Sequence, residues 1–156
     1  MDLATRQQLI ETYRDGMAEV GKALAGTTDE ELDRRPAPDA WTAREVAHHL
    51  ADSETMSSIR LRRLLAEDAP LIQAYDEAEF ARRLHYDRPV AASIALFDAV
   101  RAANLELLGQ LTDDEWNRTG THSDDGPYSV DRWLEIYAAH GHDHASQIRR
   151  ARDGRL

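Results

Sequence analysis

The 156-residue sequence contains no cysteine. Disulfide bonds, thiolate metal sites and a protein thiol nucleophile are therefore excluded. Any thiol chemistry in which this chain takes part must use a sulfur atom that arrives on a small molecule.

The sequence also lacks an excess of positive charge, because 19 Lys and Arg residues face 29 Asp and Glu residues, giving a net charge of −10. Nucleic-acid binding draws much of its free energy from clustered Lys and Arg side chains that neutralise phosphates. The terminal "RRARDGR" is the single basic tract, and we expect it to complement the C-terminal end of a helix dipole. A nucleic-acid partner is not expected.

Long apolar runs are missing as well. No run approaches the roughly 18 residues that a membrane span needs, and "MDLATRQQLIETYRDG" at the start has no apolar core of a signal peptide. The length suits one domain over residues 1–156 that buries a sizeable core. We therefore expect a cytoplasmic single-domain protein without a membrane partner.

What the chain does contain is helical periodicity in four long segments. In the first, apolar residues such as Tyr13, Met17 and Val20 recur three and four positions apart, as on one face of a helix. Capping residues and breakers mark the ends of the others. The predicted helices run from about Leu3 to Leu24, from Thr42 to Ala66, from Pro89 to Leu111 and from Ser129 to Asp153.

Two connectors repeat one pattern. Each opens with a Thr-x-x-Glu capping box, Thr28 with Glu31 and Thr112 with Glu115, which predicts one short helical turn followed by a loop. The chain then consists of two helical hairpins joined by a longer crossover at about residues 68–88, and no strand pattern of comparable strength is present. The predicted fold is all-α, a four-helix bundle without a sheet.

Three histidines alternate in "HGHDHASQI", residues 140–148, within the last predicted helix. Because a helix advances about 100° per residue, His140 and His144 lie about 40° apart while His142 points nearly the opposite way. His140 and His144 share an apolar stripe, whereas His142 shares a polar one. We predict two inward histidines and one on the solvent face.

The doublet in "VAHHLADSE" is separated by the same test. His49 lies on the side of Val46 and Ser53, whereas His48 lies with residues that are predicted to be solvated. We predict that His49 faces inward, although a small rotation of the helix would exchange the two.

Two inward histidines one turn apart suggest a metal site, because their imidazoles can converge on one cation. The alternative is a pair of core histidines that hydrogen-bond to backbone or hydroxyl partners. A third inward histidine on another helix favours the metal.

The pieces "WTAREVAHHLADSE", "LRRLLAEDAPLIQAYDE" and "LEIYAAHGHDHASQI" resemble the DinB-like superfamily, most closely its YfiT-like branch, in order and spacing. The resemblance implies a four-helix bundle with one divalent ion, Zn or Ni, held by His49, His140 and His144. Members include bacillithiol- and mycothiol-dependent transferases and many proteins assigned as metal-dependent hydrolases. Glu54 stands where YfiT-like proteins often carry a further histidine.

Three neutral imidazoles leave open positions on an ion, which is typical of a catalytic site. We expect a metal-dependent enzyme that activates a low-molecular-weight thiol co-substrate, such as bacillithiol, for S-transfer to an electrophilic small molecule. Hydrolysis by metal-bound water, a non-enzymatic stress-response metal-binding protein and a structural site with a fourth protein ligand remain alternatives.

Supporting roles are predicted for a few further residues. Asp52 either accepts a hydrogen bond from a ligating imidazole or is exposed on the His48 side. Tyr137 is predicted to line the pocket. On the crossover, Tyr75, Asp76 and Glu77 form either a pocket rim or the start of a helix capped by Asp76. The sequence leaves open whether the chain forms a homodimer.

Overall fold

The computed structural model describes residues 1–156 and is dominated by four long helices. Three short helices and three short strands lie in the connections. The long helices are α1 (Leu3–Leu24), α3 (Ala43–Ala66), α5 (Ala91–Leu108) and α7 (Val130–Arg152), and the short ones are α2 (Asp29–Asp33), α4 (Glu77–Arg83) and α6 (Asp113–Trp116). No helix combines the length and the apolar character that crossing a membrane requires.

The predicted caps set most of the helix ends. Thr28, Thr42 and Thr112 each form both hydrogen bonds of a capping box, and the Ser129 hydroxyl caps α7. The third long helix is shorter than predicted: it begins after Val90, which makes no side-chain cap, and ends at Leu108.

The structure corrects one expectation, because a small sheet is present. Strand β1 (Leu71–Ile72) pairs in parallel with β2 (Thr119–His122), which pairs antiparallel with β3 (Gly126–Ser129). The strands have two to four residues, too short for apolar alternation to be read. The sheet joins the crossover after α3 to the loop before α7.

The core consists of two apolar clusters, one around Trp133 and Leu61 and the other around Phe97 and Leu50. Between them lies a layer of buried polar groups, in which the side chains of Arg101 and Glu54 are fully buried. The Arg101 Nε atom donates to Glu54 Oε2 at 2.9 Å. Its Nη1 and Nη2 atoms donate to the carbonyl oxygens of Tyr13 and Tyr137 at 2.6 and 2.8 Å. One side chain of α5 thus joins all three other long helices.

Two glycines make room for this guanidinium where α1 crosses α7. A Cβ atom on Gly16 would overlap Arg101 Nη1, and one on Gly141 would lie 3.0 Å from that atom and 3.1 Å from the Gly16 Cα. Because three hydrogen bonds hold Arg101 in place, its side chain cannot move aside. Close packing of α1 on α7 therefore depends on the absence of both side chains.

We expect Gly16→Ala to lower the free energy of unfolding by about 1–3 kcal/mol, since overpacking a buried site forces neighbours to shift. The matched control is Gly21→Ala on the same helix, where an added Cβ meets nothing within 4 Å. That control should be neutral or stabilising by up to about 1 kcal/mol, because alanine is the better helix former. Urea denaturation measures both, and equal effects would contradict the role given to Arg101.

Candidate metal centre

The structure brings together the three histidines that the sequence predicts as metal ligands. His49 of α3 and His140 and His144 of α7 offer nitrogen atoms that all lie within 4.8 Å of one another. The Nε2 atoms of His140 and His144 are 3.1 Å apart. We call these three residues the imidazole cluster.

Burial keeps the imidazole cluster uncharged. Loss of solvation, with a smaller contribution from His144, lowers the pKa of His49 to about 3. Burial is also the main cause that lowers the pKa of His140 and of His144. Neutral imidazoles have a free lone pair, which is the form that binds a metal ion.

The cluster fits a divalent ion. The His140 Nε2 atom has the Nε2 atom of His144 as its protein partner, and the Nδ1 atoms of His49 and His140 are buried without one, so the protein itself leaves these rings poorly satisfied. In a tetrahedral zinc site, ligand nitrogens lie about 3.3 Å apart, close to the observed separation of the two α7 histidines. The group contains three ligand atoms, so that a tetrahedral ion keeps one position for water or substrate.

Neighbouring side chains hold the imidazoles in place. The Nδ1 atom of His144 donates to Gln147 Oε1 at 2.7 Å, which leaves Nε2 as the atom with the lone pair. Such a partner fixes the tautomer and orientation of a metal ligand. The Trp41 ring packs against the His49 ring, with 4.9 Å between their centroids.

The prediction that His48 faces solvent is wrong. His48 is fully buried; its Nδ1 atom bonds to Ser93 Oγ at 2.8 Å and its Nε2 atom to the Arg88 carbonyl at 2.9 Å. Arg88, before α5, and Ser93, in the first turn of α5, cover this side of α3, which the periodicity of α3 alone could not reveal. His48 therefore attaches α3 to the start of α5. The prediction that His142 lies on the solvent face is also corrected, because His142 is partly buried and its Nε2 atom donates to the Thr12 carbonyl of α1 at 3.0 Å.

Of the two supporting residues, Asp52 has another contact than expected, whereas Tyr137 lines the cavity as predicted. The Asp52 carboxylate accepts a hydrogen bond from the Tyr86 hydroxyl at 2.7 Å, and the His49 Nδ1 atom receives no partner, so the expected bond between Asp52 and an imidazole is not formed. Tyr137 does border the imidazole cluster, with its ring centroid 5.8 Å from that of His140. Its hydroxyl accepts a hydrogen bond from Arg60 Nη1 at 3.0 Å.

A cavity of about 270 Å³ opens beside the imidazole cluster, and we call it the site cavity. It is lined by Ser53 and Arg60 of α3, Tyr75 and Glu77 of the crossover, His122 and Tyr128 of the sheet, and Tyr137 and His140 of α7. Both readings of the crossover hold: Tyr75 and Glu77 form the rim, and Asp76 caps α4. Sequence reasoning missed Arg60, His122 and Tyr128, because their common position depends on the unpredicted sheet.

A wider cleft of about 510 Å³ lies elsewhere, between α3 and the crossover. Its larger volume does not make it the better candidate, because no member of the imidazole cluster lines it. Four of its charged side chains are already paired, Arg44 with Asp33 and Arg35 with Glu45, both at 2.6 Å. The site cavity is therefore the candidate functional site.

Replacement of His49, His140 or His144 by alanine should reduce the content of bound divalent metal from about one ion per chain to well below one. The remaining two imidazoles would need additional water ligands to complete a four-coordinate shell. Metal analysis of protein purified with added Zn²⁺ or Ni²⁺ measures this content.

The matched controls for these variants are His142→Ala and His48→Ala. Both should retain the metal, although His48→Ala should lower the stability by about 1–3 kcal/mol because it leaves buried partners unpaired. Loss of metal in His48→Ala combined with retention in His49→Ala would shift the ligand assignment by one residue.

Gln147→Leu should weaken metal binding by about 10- to 100-fold, since the loss of a partner that orients a ligand typically has an effect of that size. Competition with a chromophoric chelator gives the affinity. Gln147→Glu keeps an acceptor for the His144 Nδ1 proton, so it should bind metal more tightly than Gln147→Leu. Equal affinities of Gln147→Leu and wild type would show that this contact does not support a ligand.

Known proteins share both the sequence and the fold. The sequence profile of the DinB superfamily matches residues 8–148. A protein of Oceanobacillus iheyensis named "putative metal-dependent hydrolase" is 37% identical over 120 residues, covering 77% of this chain and 70% of that protein. A protein of Halalkalibacterium halodurans with the same name is 30% identical over 130 residues, covering 83% and 76% of the two.

A solved structure shares the architecture. YfiT from Bacillus subtilis, described as "a probable metal-dependent hydrolase with an unusual four-helix bundle topology", is 29% identical and superposes with a TM-score of 0.88. The match covers 95% of this chain and 86% of that one. The predicted four-helix bundle is therefore confirmed, with the small sheet as an addition.

Proposed function

The chain belongs to the DinB superfamily, and we propose that it is a divalent-metal-dependent enzyme acting on a small molecule in the site cavity. The observation that carries the proposal is the convergence of ring nitrogens of His49, His140 and His144 within 4.8 Å of one another, with His140 at the wall of the site cavity. The names of the relatives from Oceanobacillus iheyensis and Halalkalibacterium halodurans support metal dependence.

The chain's own residues would hold and orient the reactants. When bound to three neutral imidazoles, a divalent ion keeps its full charge and lowers the pKa of a bound thiol or water enough to make a nucleophile at neutral pH. Gln147 fixes the ring of His144, and the Arg60 guanidinium fixes the hydroxyl of Tyr137 beside His140. Burial raises the pKa of Tyr137, so its hydroxyl stays protonated at neutral pH and can donate to a substrate.

We propose a low-molecular-weight thiol as the nucleophile, and S-transfer to an electrophilic small molecule as the reaction. The two carboxylates that follow His49 on α3 are already engaged, Asp52 by Tyr86 and Glu54 by Arg101. A metal-bound thiol loses its proton without a neighbouring base, and the chain itself has no cysteine to compete for the ion. The thiol thus suits a site with no free carboxylate on α3.

Hydrolysis is the second candidate, and Glu77 favours it. This exposed carboxylate lines the site cavity and is close enough to His144 to oppose the fall in its pKa. A carboxylate beside a metal-bound water can act as a general base. The names of the curated relatives also point in this direction.

Removal of the metal should abolish turnover and lower the melting temperature, because an ion that binds only the folded state stabilises it. The experiment treats the protein with a chelator, restores it with Zn²⁺ or Ni²⁺, and measures consumption of bacillithiol, mycothiol and glutathione with an electrophilic acceptor. A parallel assay measures ester and amide hydrolysis without thiol.

The variants separate the two reactions. Glu77→Gln should leave thiol consumption within a few-fold of wild type and should reduce hydrolysis by 100-fold or more if Glu77 is the base. Full turnover in the metal-free protein, or in His140→Ala/His144→Ala, would contradict both proposals. A metal-loaded protein inactive in all assays would leave a non-enzymatic metal-binding role.

A further inference from the structure

Three buried hydrogen-bond donors, on residues that line the site cavity, have no partner. They are the Nε atom of Arg60 and the hydroxyl groups of Tyr75 and Tyr128, and all three residues line the site cavity. We call them the donor cluster. They belong to α3, the crossover and β3, so that three separate parts of the fold place unpaired donors around one space.

Such a grouping is unusual. A buried polar group without a partner typically costs 1–3 kcal/mol, and most buried polar groups in folded proteins are paired. Besides the donor cluster, the unpaired buried side-chain atoms of the chain are ring nitrogens of His49 and His140. Every one of these atoms therefore belongs to the candidate metal centre or to the cavity beside it.

The donor cluster is suited to bind a negatively charged hydrogen-bond acceptor. Burial raises the pKa of both tyrosines, so their hydroxyls remain protonated at neutral pH. The Ser53 hydroxyl donates towards the Tyr75 oxygen and opposes this rise in pKa, but it leaves the Tyr75 proton without an acceptor. A guanidinium can donate but cannot accept a hydrogen bond. The group that satisfies all three is an oxyanion, because hydrogen bonds from a guanidinium to a charged oxygen are about twice as strong as neutral ones.

The acidic residues of the cavity do not cancel this preference. Glu77, Asp124 and Asp125 are exposed at the rim, where water screens their charge. Asp125 also faces His122, at 3.3 Å from its Nδ1 atom. Arg60 itself has no carboxylate partner: its Nη1 and Nη2 atoms donate to the Tyr137 hydroxyl and to the Gln73 carbonyl.

Within the donor cluster, Arg60 is separated from the imidazole cluster along α3. From Ser53, on the first turn after His49, to Arg60 the helix rises about 10 Å at 1.5 Å per residue. His140 lines the same cavity as Arg60. A ligand that fills the cavity can thus present its reacting atom to the imidazole cluster and a remote group to the donor cluster.

We propose that Arg60, Tyr75 and Tyr128 form an anion subsite that binds a carboxylate or phosphate group of the substrate or co-substrate, remote from its reacting atom. This inference deepens the proposed function and rests on it for the placement of the reacting atom. The anion subsite itself does not require the metal.

Calorimetric titration of the zinc-loaded protein with succinate and with inorganic phosphate tests the proposal and shows which oxyanion the subsite prefers. We expect saturable binding of at least one of the two. Arg60→Met should weaken it by tenfold or more, Arg60→Lys by less, and Tyr75→Phe and Tyr128→Phe by about three- to tenfold each. Arg63→Met is the matched control, because Arg63 lies on the same helix but pairs with Glu67 outside the cavity.

Metal analysis of every sample separates this proposal from the proposed function. In His140→Ala/His144→Ala, which should lack the metal, anion binding that depends on Arg60 should persist. The anion subsite is contradicted by absence of saturable binding in the wild type, which would leave only water on the donor cluster. It is also contradicted if Arg60→Met and Arg63→Met weaken anion binding equally. A third contradicting result is anion binding that is lost in the metal-free protein but retained in Arg60→Met. If Arg60→Met does not fold, Tyr75→Phe and Tyr128→Phe test the subsite, and wild-type anion affinity in both would contradict it.

Discussion

The structure depends on one buried ion pair, Arg101 with Glu54. A buried charge is expensive, and only a partner with additional hydrogen bonds offsets its loss of hydration. Here the guanidinium has three acceptors on three different helices. The Glu54 carboxylate accepts in turn from the Tyr13 hydroxyl and, at 3.2 Å, from Ser57 Oγ. An apolar side chain at position 101 would fill the same space but would not fix the relative positions of α1, α3 and α7.

The ion pair also fixes the metal centre, because the same helices carry the ligands. Glu54 lies five residues after His49 on α3, and the Tyr137 carbonyl that Arg101 binds lies three residues before His140 on α7. The two helices that supply imidazoles are therefore joined at the level of the cluster. This gives a physical reason for Glu54, where the resemblance to YfiT-like proteins leads to a histidine: the residue belongs to the core and pairs with Arg101.

Local signals explain which features could be predicted from the sequence. Capping boxes at Thr28, Thr42 and Thr112 act within four residues, and the inward positions of His140 and His144 follow from the turn of a single helix. His48 was misplaced because the residues that cover it, Ser93 and the Arg88 carbonyl, lie about 40 positions along the chain. The sheet was missed partly for the same reason, since Leu71 pairs with Thr121, and partly because its strands have only two to four residues.

The difference between locally encoded helices and connections that depend on distant residues has a consequence for function. The imidazole cluster stands on two long helices whose periodicity and caps are encoded locally, and they keep its geometry rigid. Much of the wall of the site cavity, including Tyr75, Glu77, His122 and Tyr128, comes from the crossover and the sheet, which are joined to each other by the long-range pairing of β1 with β2. Substitutions in these connections can change the shape and charge of the cavity without moving a metal ligand. Chains with the same three histidines can therefore act on different molecules, and the choice of substrate is encoded where helical periodicity carries no information.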